Sequence, residues 1–267
     1  MLEMRGIQKY FPGVHALDDC RFDLRAGEVH ALVGENGAGK STLMKILSGV
    51  YVRDGGTVTL DGREINVRDT LEAQHLGISI IHQEINLMQD LTVSENIYIG
   101  REPTRGLLLN QSRQDAQTNA LLDSLHLSDI RAGTRVRTLT VAKQQMVEIA
   151  KALSFSNTRI LIMDEPTAAL TESEIEDLFS FIRRLKAQGV GIVYISHRME
   201  ELRVIADRVT VMRDGRYVDT RNMADVTMDD IISMMVGRVI YEQPKTHSAV
   251  PQDAPVVLEV KSLRSPA

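Results

Sequence analysis

Cysteine is nearly absent, with Cys20 alone in 267 residues. A lone thiol excludes an internal disulfide and a cysteine metal cluster, and it fits a reducing compartment. Cys20 therefore reads as a small strand residue. Long apolar runs are also lacking: nothing approaches the roughly 18 to 20 residues that cross a bilayer. The opening MLEMRGIQKY has no apolar core of the signal-peptide kind, so a cytoplasmic location is expected. Nor is there an excess of positive charge. A formal net charge of −5 provides no basic field for nucleic acid, which is not expected as a partner. What is present is ordinary for a folded protein. Apolar content of 43% and charged content of 25% suit a globular chain, and the length allows one large α/β domain or two smaller ones.

The chain begins with short apolar runs broken by turns, LEMRGIQKYF, ALDDCRFDL and EVHALVGE. GGTVTLDGREI adds a hairpin whose Asp61-Gly62 suits a tight reversal. From about 87 to 158 the periodicity turns helical, in SRQDAQTNALLDSLHL and QQMVEIAKALSF, with no strand expected between them. Strand-helix alternation then resumes with RILIMDEP, a helix from Thr171, the strand GIVYISH, a helix from Arg198 and a hairpin turning at Asp214-Gly215. TMDDIISMMVG has a capping start at Thr227 and a terminating glycine. The expected fold is α/β, with a parallel-sheet core, an N-terminal antiparallel β-subdomain and an inserted α-helical subdomain. This domain is expected over 1–240, followed by a proline-bearing linker at 241–255. LEVKSL near the end repeats the pattern of LEMRGI at the start, so 256–267 reads as the beginning of a second copy.

ALVGENGAGKSTLMKIL contains Gly-x-x-x-x-Gly-Lys-Ser between a strand and a helix. Glycines let such a loop curl until its N–H groups face phosphate oxygens. The expected contacts are Gly34, Glu35, Asn36, Gly37, Ala38, Gly39, Lys40, Ser41 and Thr42, with Lys40 as a point charge and the Ser41 hydroxyl toward Mg²⁺. RILIMDEPT ends a strand in Asp164 and Glu165. Two adjacent acids there either divide metal and base roles or are solvated loop carboxylates. With the phosphate loop present, the first alternative points to nucleotide hydrolysis.

Taken with HQE around Gln83, TLTVAKQQ from Thr138, MDEPT from Met163 and ISH ending at His197, these motifs resemble the nucleotide-binding subunit of an ABC transporter over residues 1 to about 240. FPGVHAL, VAKQQMVEIAKAL, IVYISHRMEEL and MMVGR look most like the N-terminal half of the fused double ATPases of monosaccharide importers, of the ribose and galactose type. The resemblance implies ATP and Mg²⁺ as cofactors and ATP hydrolysis coupled to transport. It implies a second nucleotide-binding domain, membrane permease subunits and, indirectly, an extracytoplasmic sugar-binding protein as partners. It also implies a peripheral position on the cytoplasmic face of the cell membrane. By position, Phe11 matches the aromatic that stacks on adenine, although such a ring could also fill the β-subdomain core. Gln83 matches the residue that senses Mg²⁺ and lytic water beside the permease contact. Asp164 matches the metal-organising acid, Glu165 the general base, and His197 the switch histidine near the γ-phosphate.

Two departures from the family pattern stand out. Thr171 replaces a common aspartate, but TESE from Thr171 to Glu174 forms a capping box. In the signature loop the usual serine, second glycine and glutamine are replaced by Thr140, Ala142 and Lys143, around Val141. Thr140 keeps a hydroxyl and Ala142 an N–H. The resemblance implies that this loop serves ATP held by the opposing domain, so neither composite site is complete in this chain. Lys143 in the first turn of a helix opposes the dipole, which is mildly unfavourable if uncompensated; it either approaches the phosphate or ribose of the nucleotide held by the second half or is a solvated side chain bending away. Two other classes are weighed against the transporter subunit. A soluble ABC ATPase of ribosomes or chromosomes would need a long basic linker or a coiled coil. A P-loop kinase would leave the signature loop, Glu165 and His197 without a role.

Overall fold

The computed structural model describes residues 1–155 and 157–237. The expected linker at 241–255 and second copy at 256–267 lie outside these. The first strands form a four-stranded antiparallel sheet: β1 (Leu2–Phe11), β2 (Val14–Leu24), β4 (Gly55–Leu60) and β5 (Arg63–Ile65), in the order β2-β1-β4-β5. Asp61-Gly62 makes the β4–β5 reversal as expected.

The central sheet has the order β12-β11-β3-β10-β9-β6. It comprises β3 (Val29–Val33), β6 (Ile78–Ile81), β9 (Ile160–Asp164), β10 (Gly191–Ile195), β11 (Arg208–Arg213) and β12 (Arg216–Asn222). All neighbours are parallel except the β11–β12 hairpin. Strands β3 and β10 are buried at every position, as a sheet covered on both faces requires. Alternation sorts their side chains into two cores. Leu161, Met163, Ile192 and Tyr194 face one layer. Ile160, Ile162, Val193 and Ile195 face the other, which the antiparallel sheet and helix α1 (Lys40–Leu47) complete. Leu43, Met44, Ile46 and Leu47 anchor α1 there, and full burial of each such side chain stabilises by roughly 1.5–3 kcal/mol.

Helix α2 (Thr70–His75) precedes β6, and the helical insertion follows β6. The insertion contains α3 (Val93–Tyr98), α4 (Gln111–Ser124) and α5 (Val141–Leu153). Ahead of α4 it also contains a small hairpin that the sequence did not announce, β7 (Thr104–Arg105) and β8 (Leu108–Leu109). Two-residue strands are too short to show a period, and Leu108 and Leu109 are exposed, so no burial pattern marks them. Helix α6 (Glu172–Ala187) starts as expected at Thr171, whose amide and hydroxyl both donate to the Glu174 carboxylate at 2.9 Å. Helix α7 (Met199–Ile205) follows β10, and α8 (Met228–Val236) runs from the Thr227 cap to Gly237.

Cys20 is fully buried on β2, where its thiol donates to the Gly215 carbonyl at 2.8 Å. Burial pushes the thiol up to about 11, so it stays neutral and inert, as a small strand residue should. Among the described residues no helix is long and apolar enough to cross a membrane.

Candidate functional site

The site lies at the carboxyl ends of the parallel strands, where loops from β3, β6, β9, β10 and β11 converge. After β3 the backbone crosses directly against β11. A Cβ on Gly34 would meet the Met212 carbonyl oxygen at 2.3 Å, so only glycine allows this approach. Gly39 then caps α1 with φ 95°, a left-handed conformation that glycine adopts without steric cost. No side chain caps the helix and no acid occupies its first turn, leaving its N–H groups and dipole open to an anion. The Lys40 ammonium folds back over the loop, donating to the Gly34 carbonyl at 2.7 Å and the Glu35 carbonyl at 3.0 Å. Burial pulls its pKa down, while Glu165 and Asp164 oppose the fall.

Asp164 ends β9, and Glu165 follows with φ 49°, unusual for a residue with a side chain. Such a conformation costs on the order of 1–3 kcal/mol and persists where its surroundings enforce it. Here the Glu165 amide donates to the Ile195 carbonyl at 2.9 Å, carrying the β9–β10 pairing one residue beyond the strand. The turned backbone aims the carboxylate between two neighbours. Gln83 Nε2 donates to its Oε2 at 3.2 Å, and His197 Nδ1 lies 3.2 Å from its Oε1. Three residues separated widely in sequence thus form one continuous polar chain. Asp164 stays apart from that chain. Burial pushes its carboxyl above the ordinary range, helped by the Glu165 charge and opposed by Ser41, His82 and Lys40.

A cavity of about 480 Å³ receives Asn36 through Thr42 on one side with Gln83, Asp164 and Glu165 beside them. Its other wall is Val14, His15, Ala16 and the Asp214-Gly215 turn, to none of which the sequence assigned a place in the site. Gly34 and Glu35 shape the loop from behind, and His197 reaches the site through Glu165. Phe11 does not line this cavity. Its ring meets Tyr51 edge-on, with centroids 5.3 Å apart, and Lys9 lies 5.4 Å from its centroid. The ring on the cavity wall is His15, stacked on Tyr10 at 4.1 Å. His15 is the second residue of β2, paired with Tyr10 of β1.

The signature loop is elsewhere. Thr140 caps α5 and accepts from the Lys143 amide at 3.4 Å. Thr140, Ala142 and Lys143 line a separate cleft of about 460 Å³ that shares no residue with the phosphate-loop cavity, while Val141 is exposed. Lys143 has a partner that neither alternative named. Its ammonium pairs with Asp129 Oδ2 at 2.7 Å and holds that carboxyl below its ordinary range. Asp129 stands 14 residues earlier in the chain, beyond any helical spacing that would have revealed the pair.

Comparison with known proteins identifies the arrangement. Residues 17–168 match the family model for the ABC transporter. The chain is 59% identical over 268 residues to a protein of Burkholderia cenocepacia (strain HI2424) provisionally named ribose/galactose/methyl galactoside import ATP-binding protein 2. The match covers 98% of this chain and 51% of that protein. It is 49% identical to the galactose/methyl galactoside import ATP-binding protein MglA of Escherichia coli (strain K12), covering 99% of this chain and 52% of that one. The chain therefore spans about half the length of the curated relatives it matches. Among solved structures, the ADP conformation of MJ1267, an ATP-binding cassette of an ABC transporter, superimposes with a TM-score of 0.75 at 26% identity. That superposition covers 88% of this chain and 94% of the other. With its phosphate loop, its acidic strand end and the family match over more than half its length, the chain belongs to the ABC transporter family.

Proposed function

We propose that the chain is the ATP-binding and hydrolysing half of an importer ATPase, coupling nucleotide-driven domain closure to monosaccharide uptake through membrane permease subunits. The observation that carries this reading is the Gln83–Glu165–His197 chain beside the phosphate-loop cavity. Lys40 and the α1 N-terminus would hold the phosphates. Glu165 would take a proton from the attacking water, and His197 and Gln83 would keep its carboxylate oriented. The fit to Mg²⁺ follows from the donors present. Among the described residues no group of three or more acidic, histidine or cysteine side chains could cage a metal. Ser41, Asp164 and Gln83 would instead hold the ion together with nucleotide oxygens, the mode Mg²⁺ favours; the ion supplies charge neutralisation at the phosphates. The raised Asp164 carboxyl supports this, because a half-buried acid gains most from a nearby cation.

Thr140 and the Ala142 amide would serve the nucleotide of an opposing second domain, and Phe11 would stack on the base when the β1–β2 turn closes over it. A cleft of about 420 Å³ where the insertion meets β6, lined by Arg101, Glu148 and Phe155, offers the permease a docking surface. The sugar class follows the names of the relatives, and an extracytoplasmic binding protein would deliver the sugar. The chain would then work at the cytoplasmic face of the inner membrane as a peripheral subunit. Reconstitution of the intact protein with its permease tests the reading. ATP-dependent uptake of ribose or galactose into vesicles is the expected result, and hydrolysis that never couples to any monosaccharide would refute it.

A further inference from the structure

The loops that carry Glu165 and His197 are tied together behind the site by one buried carboxylate. Glu201 lies on α7 and is 5% exposed. Its Oε2 accepts three hydroxyl hydrogen bonds, from Thr167 at 2.9 Å, Tyr194 at 2.8 Å and Ser196 at 3.0 Å. Its Oε1 faces the Arg198 guanidinium at 2.9 Å, an ion pair without hydrogen-bond alignment. Thr167 belongs to the turn that follows Glu165. Ser196 directly precedes His197, and its oxygen also accepts from the Arg198 amide at 3.0 Å. Burial, with Glu201 beside it, pushes the Tyr194 phenol up and keeps it a donor.

A buried carboxylate is costly unless well satisfied, and an apolar residue would fill the same place without that cost. Leu202 and Ile205, the other buried residues of α7, already supply its packing. Thr167 and Ser196, from two different loops, and Tyr194, from the end of β10, converge on one oxygen and fix the loops' mutual position to within a hydrogen-bond length. The β9–β10 pairing cannot do this alone, because its last bond is that from Glu165 to Ile195.

We infer that Glu201 is a positioning residue that sets the Glu165–His197 separation by clamping the two loops from below. Its consequence for hydrolysis rests on the ATPase reading above, whereas its geometry does not. Two readouts in the intact protein separate them. The first is the side-chain nitrogen resonance of His197 in nucleotide-free protein. Glu201→Ala moves it toward the position it takes in Glu165→Gln, where the carboxylate partner is lost. The second is steady-state Mg-ATP hydrolysis. Glu201→Ala lowers kcat by about 10²-fold, the scale of a misplacement near 1 Å, with KM changed less than about threefold. Glu201→Gln, whose amide oxygen still accepts the hydroxyls, recovers most of it. In a His197→Ala background, Glu201→Ala costs less than about threefold more, since the two act through one contact. Should Glu201→Ala fail to fold, Thr167→Val removes a single donor and is expected to show the same histidine shift, with a kcat loss of about tenfold. An unchanged His197 resonance in folded Glu201→Ala or Thr167→Val overturns the clamp whether or not the protein hydrolyses ATP, as does a full additive loss in the double variant. Absent hydrolysis with a shifted resonance overturns the ATPase reading and leaves the clamp standing.

Discussion

His197 Nδ1 lies 3.2 Å from Glu165 Oε1, a contact made across two neighbouring strand ends by residues 32 positions apart. The pairing register aligns Ile195 with Asp164, so the next residues of each strand leave the sheet side by side. The contact is therefore a product of the sheet, which brings together two residues far apart in sequence.

The assignment of roles predicts a separation of binding from chemistry. Glu165→Gln keeps Mg-ATP affinity and loses about 10²- to 10⁴-fold in turnover, the usual contribution of a general base. Lys40→Ala weakens affinity itself. Equilibrium nucleotide binding and steady-state hydrolysis on the same samples check both, and equal affinity losses in the two variants would contradict the division.

Asp164 predicts a gain in stability from removing a functional group. Its folded pKa lies above its ordinary 3.8, so the folded state holds more protons between those two values, and stability from this group declines as pH rises through that interval. Nucleotide-free Asp164→Asn should melt above the parent at neutral pH, with the advantage vanishing below the ordinary carboxylate range. Thermal melts between pH 3 and 8 measure it, and a variant less stable at neutral pH would sink the idea.

The signature loop predicts loss of function without loss of fold. Ala142→Asp places an acid in the first turn of α5, where the dipole favours it by about 0.3–1 kcal/mol, yet the same charge would repel an opposing phosphate. Lys143→Gln breaks only the exposed pair with Asp129, worth at most about 1 kcal/mol, and should weaken nucleotide at the opposing site modestly. Transport assays with melting curves distinguish the cases. Normal transport by Ala142→Asp would mean that this loop meets no phosphate.

Cys20, with its thiol pushed up to about 11 and its side chain fully buried, should resist thiol reagents at pH 8 in native protein and react at once in denaturant. Rapid native labelling would show that β2 opens from the β11–β12 turn.

Much of this was legible in the sequence because the motifs are local. The phosphate loop needs only glycines, a lysine and a serine in fixed order, and β9 announces itself as an apolar run ending in two acids. Capping residues likewise marked Thr171 and Thr227, whose hydrogen bonds close within three residues. What was not legible depends on tertiary proximity. Asp129 meets Lys143, and Glu201 meets Thr167, through folding that no spacing rule encodes. His15, near the start of β2, lines the cavity wall where Phe11, the last residue of β1, does not, because the pairing of the two strand ends and not any spacing in the sequence decides which ring faces the cavity. The β7–β8 hairpin stayed hidden because its strands are two residues long and their leucines face outward.

Strands β6 and β9 are hydrogen-bonded neighbours, and the whole helical insertion leaves from one and returns to the other. Its exit and re-entry points are separated by little more than one short strand. Such an insertion can be exchanged for another of different length or surface without re-threading the sheet, since loop-closure cost grows only slowly with length. The strand ends beside the phosphate loop and the surface of the insertion can thus change at different rates over evolutionary time. On the proposed reading, chimaeras joined near Gln83 and Arg159 would inherit chemistry from one parent and the choice of docking partner from the other.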